Sequence, residues 1–157
     1  MSQKLKDKSL SPEIQAAALG SRVVSGTKAT VVDLSDFDER IRRTLNAAAE
    51  KKALDLTVLD LREIASFTDF FVIATGTNRR QVQAISDEVV EQLKRGGTRA
   101  ARVEGYQTAE WILVDYGDFV VHVFDDKARR FYDLERLWRE ARRVDVAPEQ
   151  LGSLREE

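Results

Sequence analysis

FFVIATGTN, Phe70 to Asn78, is the stretch on which the fold turns. Its continuous apolar run, Phe70 to Ala74, reads as a central strand covered on both faces. Gly76 breaks that run, and Asn78 offers a side-chain oxygen to cap a helix, with Gln81 at the reciprocal position. Val82, Ile85, Val89 and Leu93 then recur at helical spacing, and Gly96-Gly97 ends the pattern. A strand, a tight turn and an amphipathic helix make the basic unit of a layered α/β domain.

Working outward, Leu54 to Asp60 alternates as a strand should, with Leu54, Leu56 and Val58 on one face and Asp55 and Thr57 on the other. A helix precedes it. Ser35 is placed to cap that helix and Asp38 to complete a capping box, while Phe37, Ile41, Leu45 and Ala48 form its apolar stripe. Lys51 and Lys52 fall at the negative end of the helix dipole. Beyond the Gly76 helix come a weak strand near Thr98 to Glu104 and stronger ones at Trp111 to Val114 and Phe119 to Phe124. The last two flank Asp115-Tyr116-Gly117-Asp118, a hairpin turn. A final helix is expected near Asp133, with Leu134, Leu137, Trp138 and Ala141 on one face.

The predicted architecture is α/β: a mixed sheet of about five strands flanked by helices, with one parallel crossover and one antiparallel hairpin. Residues 1–34 lack sustained periodicity and read as a flexible extension, with a short helix at Glu13 to Leu19 behind Pro12. The domain proper is expected at residues 35–143. Residues 144–157, with Pro148 and Gly152, are expected to form a fraying tail.

A chain of 157 residues with 43% apolar content can bury an adequate core without staples. Zero cysteines exclude disulfides, thiolate zinc sites and cysteine nucleophiles. His122 is the single histidine, and no His/Asp/Glu set recurs at ligand spacing, so neither metal nor cofactor is expected. No apolar run approaches the ~20 residues that span a bilayer. The N-terminus lacks a signal peptide's apolar block, which makes a cytosolic protein without a membrane partner the expectation. A net charge of −2 does not announce a nucleic-acid binder.

Five features could carry chemistry. Thr75-Gly76-Thr77-Asn78, followed by Arg79 and Arg80, could hold an anion, but a lone glycine matches neither the P-loop nor the dinucleotide pattern and fits a turn with a cap. Asp55, Asp60 and Asp69 lie near strand ends, where a nucleotidyltransferase would hold magnesium. Asp55 and Asp60 are five apart and face opposite sides, and no Asp-x-Asp follows Gly76. His122 reads as a half-buried histidine with one hydrogen bond, since no nucleophile turn accompanies it, and no catalytic residue is assigned. Asp126 to Arg143 holds seven basic and four acidic residues, the pattern of a solvated helix face or an RNA patch. Phe131, Tyr132 and Trp138 sit there at core spacing.

The segment Glu104 to Asp118 stands apart. It contains Glu104, Glu110, Asp115 and Asp118 with no Lys or Arg, together with Tyr106, Trp111 and Tyr116. Aromatic anchors among polar groups are the composition of binding hot spots, and the acids favour a basic protein over phosphate. The competing account makes Trp111 a core residue.

The chain resembles the ribosome-silencing factor family. The matching stretches are ALDLTVLDLREIASFTDFFVIATGTNRRQVQAI from Ala53, VEGYQTAEWILVDYGDFVVHVF from Val103 and ARRFYDLERLW from Ala128. The resemblance runs over about residues 37 to 139, with Asn78 where a serine is frequent. It implies a compact domain akin to the nucleotidyltransferase fold but without its catalytic carboxylates. It also implies a non-enzymatic protein that binds the large ribosomal subunit through ribosomal protein fourteen, blocks association with the small subunit and represses translation when nutrients are scarce. The family's motifs place that contact on Glu104, Gly105, Tyr106, Glu110, Trp111, Asp115, Tyr116, Gly117 and Asp118, with His122, Arg129 and Tyr132 as neighbouring supports. Peripheral contact with ribosomal RNA is compatible with it. The alternatives are a residual nucleotide-binding or nucleotidyltransferase-like enzyme and a homodimeric adaptor using the same surface. The family includes organellar members, but the acidic residues of the extension are untypical of a transit peptide.

Overall fold

Six strands form one sheet in the order β3-β4-β5-β2-β1-β6. They are β1 (Leu54–Asp60), β2 (Phe70–Gly76), β3 (Arg102–Glu104), β4 (Trp111–Asp115), β5 (Phe119–Asp125) and β6 (Arg142–Val146). The helices are α1 (Glu39–Glu50), α2 (Arg79–Arg95), α3 (Asp126–Tyr132), α4 (Leu134–Leu137) and α5 (Pro148–Arg155). The computed structural model describes residues 34–155, with side chains to residue 151. The expected helix at Glu13 to Leu19 and the rest of the extension before Leu34 lie outside those residues.

β2 is buried along its length, as its apolar run requires. It pairs in parallel with β5 and antiparallel with β1, while β4 pairs antiparallel with both β5 and β3. The chain therefore leaves β2 through α2, crosses to the sheet edge at β3, and folds back through β4 to lay β5 beside β2. The hairpin closes as expected: the Tyr116 N–H donates to the Phe119 carbonyl at 2.9 Å, and Gly117 adopts φ +90° in between. Primed two-residue turns need such a left-handed position.

Both faces of the sheet are covered. On one, Val58, Val72, Ile112 and Val121 pack with Ile41 and Leu45 of α1 and Val82, Ile85 and Val89 of α2. On the other, Leu59, Phe71, Trp111, Leu113 and Phe124 lie with Ala128, Leu134 and Trp138. At about 25 cal/mol per Å² these two apolar layers supply the main stabilising term.

Four local expectations are corrected. Ser35 sits in a 3₁₀ turn, and Asp38 caps α1 instead, its carboxylate accepting from the Arg40 N–H at 2.7 Å. A carboxylate there also meets the positive end of the helix dipole. In β1 the register shifts between Leu54 and Thr57, and Asp55 takes φ +53°, which leaves Leu54 outside and Thr57 buried. The single helix expected near Asp133 is two short helices, because Asp133 itself adopts the left-handed conformation at φ +50°. An aspartate tolerates that conformation better than most residues. Finally, the stretch expected to fray begins inside a strand. Val144 and Val146 are buried at period two in β6, which pairs with β1, and Leu151 of α5 is buried as well.

Candidate functional site

β4 distributes the acidic, aromatic segment over different places instead of one. Trp111 begins the strand and Asp115 ends it, about 13 Å apart at strand rise. Trp111 is 1% exposed. Its ring lies 4.3 Å from Tyr132 and 4.7 Å from Phe124, and its Nε1–H donates to Nδ1 of His122 at 3.0 Å. His122 is fully buried, edge-on to Phe71 at 4.4 Å. Burial, with the Arg129 charge adding, pushes its pKa down to about 3, so the ring is neutral and accepts from the indole. Trp111 is thus a core residue and not an exposed anchor, and His122 is not half-buried. Both face the side of the sheet that α3 closes.

At the other end of β4, acids that are unpaired along the chain are paired in space. Arg102 reaches Asp115 at 3.1 Å and Glu104 at 3.4 Å, and Arg40 reaches Asp118 at 2.6 Å. Asp115 also accepts from the Gly117 N–H at 2.8 Å, which stiffens the turn. Partial burial raises the Glu104 pKa against the Arg102 charge. Tyr116 stacks on Phe119 at 4.8 Å, and burial pushes its hydroxyl up to about 12. Gly105 takes φ +83°, and the Tyr106 hydroxyl donates to Asp87 of α2 at 3.0 Å. This end of the segment is a braced turn.

The Trp111 end differs. Glu110 is exposed and, among the described residues, has no cation within 4.0 Å; its carbonyl accepts from the Asp125 N–H at 3.0 Å. Tyr132 is half-buried over Trp111, its hydroxyl pKa raised by burial and by the Glu110 charge. Phe131 stands edge-on to Tyr132 at 5.0 Å and is 73% exposed, the most exposed large apolar side chain among the described residues. Arg129 is not part of this surface. Its side chain is 10% exposed and held by Glu135 at 2.5 Å, Thr75 at 2.7 Å and Thr57 at 3.2 Å. Arg129 therefore fixes α3 to the sheet and sets where Phe131 points.

Phe131 is the residue that periodicity misplaces. It follows Ala128 by three and so counts toward the core. The left-handed turn at Asp133 then rotates Leu134 and Trp138 inward, and Phe131 is left outside while Leu137 becomes 38% exposed.

The remaining features resolve to structure. Asn78 Oδ1 accepts from the Gln81 N–H at 2.8 Å, and Gln81 Oε1 accepts from the Thr77 N–H and hydroxyl at 2.7 and 2.9 Å. The cap thus occupies the Gln81 N–H in the first turn of α2 and ties Thr77 to the helix in return. A Cβ on Gly76 would lie 2.9 Å from Val82 Cγ2, so the glycine serves close packing of α2 on β2. Asp60 pairs with Arg62 at 2.7 Å, and among the described residues no three His, Cys, Asp or Glu could hold a metal ion. In the basic run, Arg130 pairs with Asp126 and Arg143 with Asp145, while Lys127, Arg136 and Arg139 face solvent. Among the described residues no helix is long and apolar enough to cross a membrane.

Comparison with known proteins gives a consistent picture. Residues 34–156 match the family model described as ribosomal silencing factor during starvation. The chain is 40% identical over 108 residues to the ribosomal silencing factor RsfS of Halalkalibacterium halodurans, 69% of this chain and 92% of that one. A crystal structure of a Chromobacterium violaceum protein superposes with a TM-score of 0.63 at 34% identity, covering 68% of this chain and 87% of that one. A mouse protein named mitochondrial assembly of ribosomal large subunit protein 1 is 32% identical over 92 residues, 57% of this chain and 40% of its own length. With its mixed sheet and its match from Leu34 onward, this chain belongs to the ribosomal silencing factor family.

Proposed function

We propose that this protein docks on the large ribosomal subunit through ribosomal protein fourteen and keeps the small subunit from joining, so that translation falls when nutrients are limiting. Family membership supports the ribosome-associated silencing role, and the name of the mouse relative, though not its mechanism, points to the large subunit. The observation that carries the docking surface is Phe131, 73% exposed beside Tyr132 and Glu110. An exposed aromatic backed by a buried tryptophan is an anchor that pays little ordering entropy on binding. Glu110, with no cation of its own, favours a basic partner.

The surface proposed here comprises Phe131, Tyr132 and Glu110, with Trp111 supporting it from beneath. Silencing on this account is steric exclusion, with no bond made or broken. Lys127, Arg136 and Arg139 would lie alongside and could touch ribosomal RNA at the periphery. A homodimer through the same aromatic surface would compete with docking. Gly76 serves the packing of α2 on β2, and among the described residues no three His, Cys, Asp or Glu could hold a metal ion, which gives a nucleotidyltransferase-like reading no support. The test is co-sedimentation with isolated large and small subunits. Binding to large subunits that Phe131→Ala weakens by roughly 30-fold, the loss of about 2 kcal/mol expected for an aromatic hot spot, supports the reading. Binding to small subunits alone refutes it.

A further inference from the structure

Across the sheet from α3, on the α2 layer, lies an open trough of about 540 Å³ that the docking surface does not use. Ala84, Val90 and Val103 give it an apolar lining, and Val103 on the edge strand β3 is 43% exposed. Asp87, Glu88 and Glu91 rim it. Gln92 ties Glu88 to Glu50 at 2.6 and 3.1 Å. Two cations are paired with these acids: Lys51, itself part of the lining, lies 3.9 Å from Glu88, and Arg95 lies 3.3 Å from Glu91, both pairs exposed enough to be weak. Asp87 accepts from the Tyr106 hydroxyl and, among the described residues, has no cation within 4.0 Å. The trough therefore keeps more carboxylates than cations around exposed apolar surface. That combination suits a basic segment with apolar side chains between its charges.

The chain carries such a segment. KLKDKSL, Lys4 to Leu10, sets Lys4, Lys6 and Lys8 against Asp7 and interleaves Leu5 and Leu10. It belongs to the 33 residues that precede Leu34, where the family match begins. Leu34 and Lys51 flank α1, a helix of 12 residues and so about 18 Å long. The residues between Leu10 and Leu34 could span roughly 75 Å at full extension, so reach does not limit contact. Because the segment belongs to the same chain, its contact with the trough would be intramolecular, which favours the filling of a modest site. We propose that the trough of α2 and β3 is the docking site of the chain's own Lys4–Leu10 segment, with the lysines on the Asp87 and Glu91 carboxylates and the leucines on Val90 and Val103. This contact is independent of ribosome docking, because it lies on the other face of the sheet.

The test is zero-length carbodiimide cross-linking of the full chain, followed by peptide mass spectrometry of the monomeric fraction. Cross-links from Lys4, Lys6 or Lys8 to Asp87, Glu88 or Glu91 are expected, and they should fall about tenfold in 1 M salt, where the Debye length is about 3 Å. Asp87→Lys with Glu91→Lys should abolish them. Adding Lys4→Glu, Lys6→Glu and Lys8→Glu to that variant should restore cross-links in the reversed sense. The proposal is overturned if these lysines cross-link across the surface in proportion to carboxylate exposure. It is equally overturned if the links join two chains, which would make the occupant a second copy.

Discussion

The Trp111 indole donates to Nδ1 of His122 at 3.0 Å inside the layer that α3 covers, so the strongest aromatic in the candidate segment is bound inward. Its ring carries Tyr132 and meets Phe124. Trp111→Ala should therefore cost about 3–5 kcal/mol of stability, from the cavity and from the acceptor left unpaired on His122. Urea unfolding checks this. A midpoint within error of the unaltered protein would show that Trp111 is not the keystone of that layer. Loss of ribosome binding in this variant would report unfolding and not a lost contact.

His122 also sets a pH dependence. Its folded pKa is about 3, against an ordinary 6.5. Above pH 6.5 the ring is neutral folded or unfolded and adds no slope. As pH falls below 6.5, the unfolded chain takes up a proton that the folded one refuses, so stability declines by up to about 1.4 kcal/mol per unit until pH approaches 3. His122→Gln should flatten the fall between pH 6.5 and 4.5 by nearly that amount in thermal or urea unfolding. An unchanged slope would mean that carboxylates alone govern it.

Gly76→Ala should destabilise by about 1–3 kcal/mol, because the added Cβ lands 2.9 Å from Val82 Cγ2 and 3.1 Å from the Val82 nitrogen. The backbone cannot give way there without moving α2 off β2. Denaturant titration reads the loss directly; a neutral outcome would reopen the anion-binding view of this turn, in which glycine is needed for a ligand.

These elements differ in how plainly the sequence announces them. β2 and α2 are legible because an unbroken apolar run and a strict helical stripe admit one interpretation each, and Asn78 caps as its type suggests. β6 was hidden by its own charges: Arg143 and Asp145 alternate with Val144 and Val146 at period two, yet the neighbouring proline and glycine suggested a tail. The candidate site was legible only as a list. Periodicity along one segment cannot show that Arg40, 78 residues away, pairs with Asp118, that Arg102 just outside the segment folds onto Asp115, nor that a left-handed residue at Asp133 divides the helix and leaves Phe131 exposed.

The Arg40–Asp118 pair joins α1 to the hairpin turn, but it is substantially exposed, at 32% and 50% of the two side chains. Asp118→Ala should cost at most about 1 kcal/mol. Asp118→Ala should also leave ribosome binding unchanged, since the turn lies at the far end of β4 from Phe131. A large loss of binding with unaltered stability would return the docking surface to the hairpin.

The central claim is tested most directly by a subunit-joining assay, in which purified large and small subunits associate with and without added protein and the joined fraction is read by light scattering or gradient sedimentation. The unaltered protein is predicted to suppress joining in proportion to its occupancy of large subunits. Phe131→Ala, folded as well as the parent by its unfolding curve, is predicted to need roughly 30-fold more protein for the same effect. Joining that proceeds undiminished with the unaltered protein, or is blocked equally by Phe131→Ala, would contradict the account.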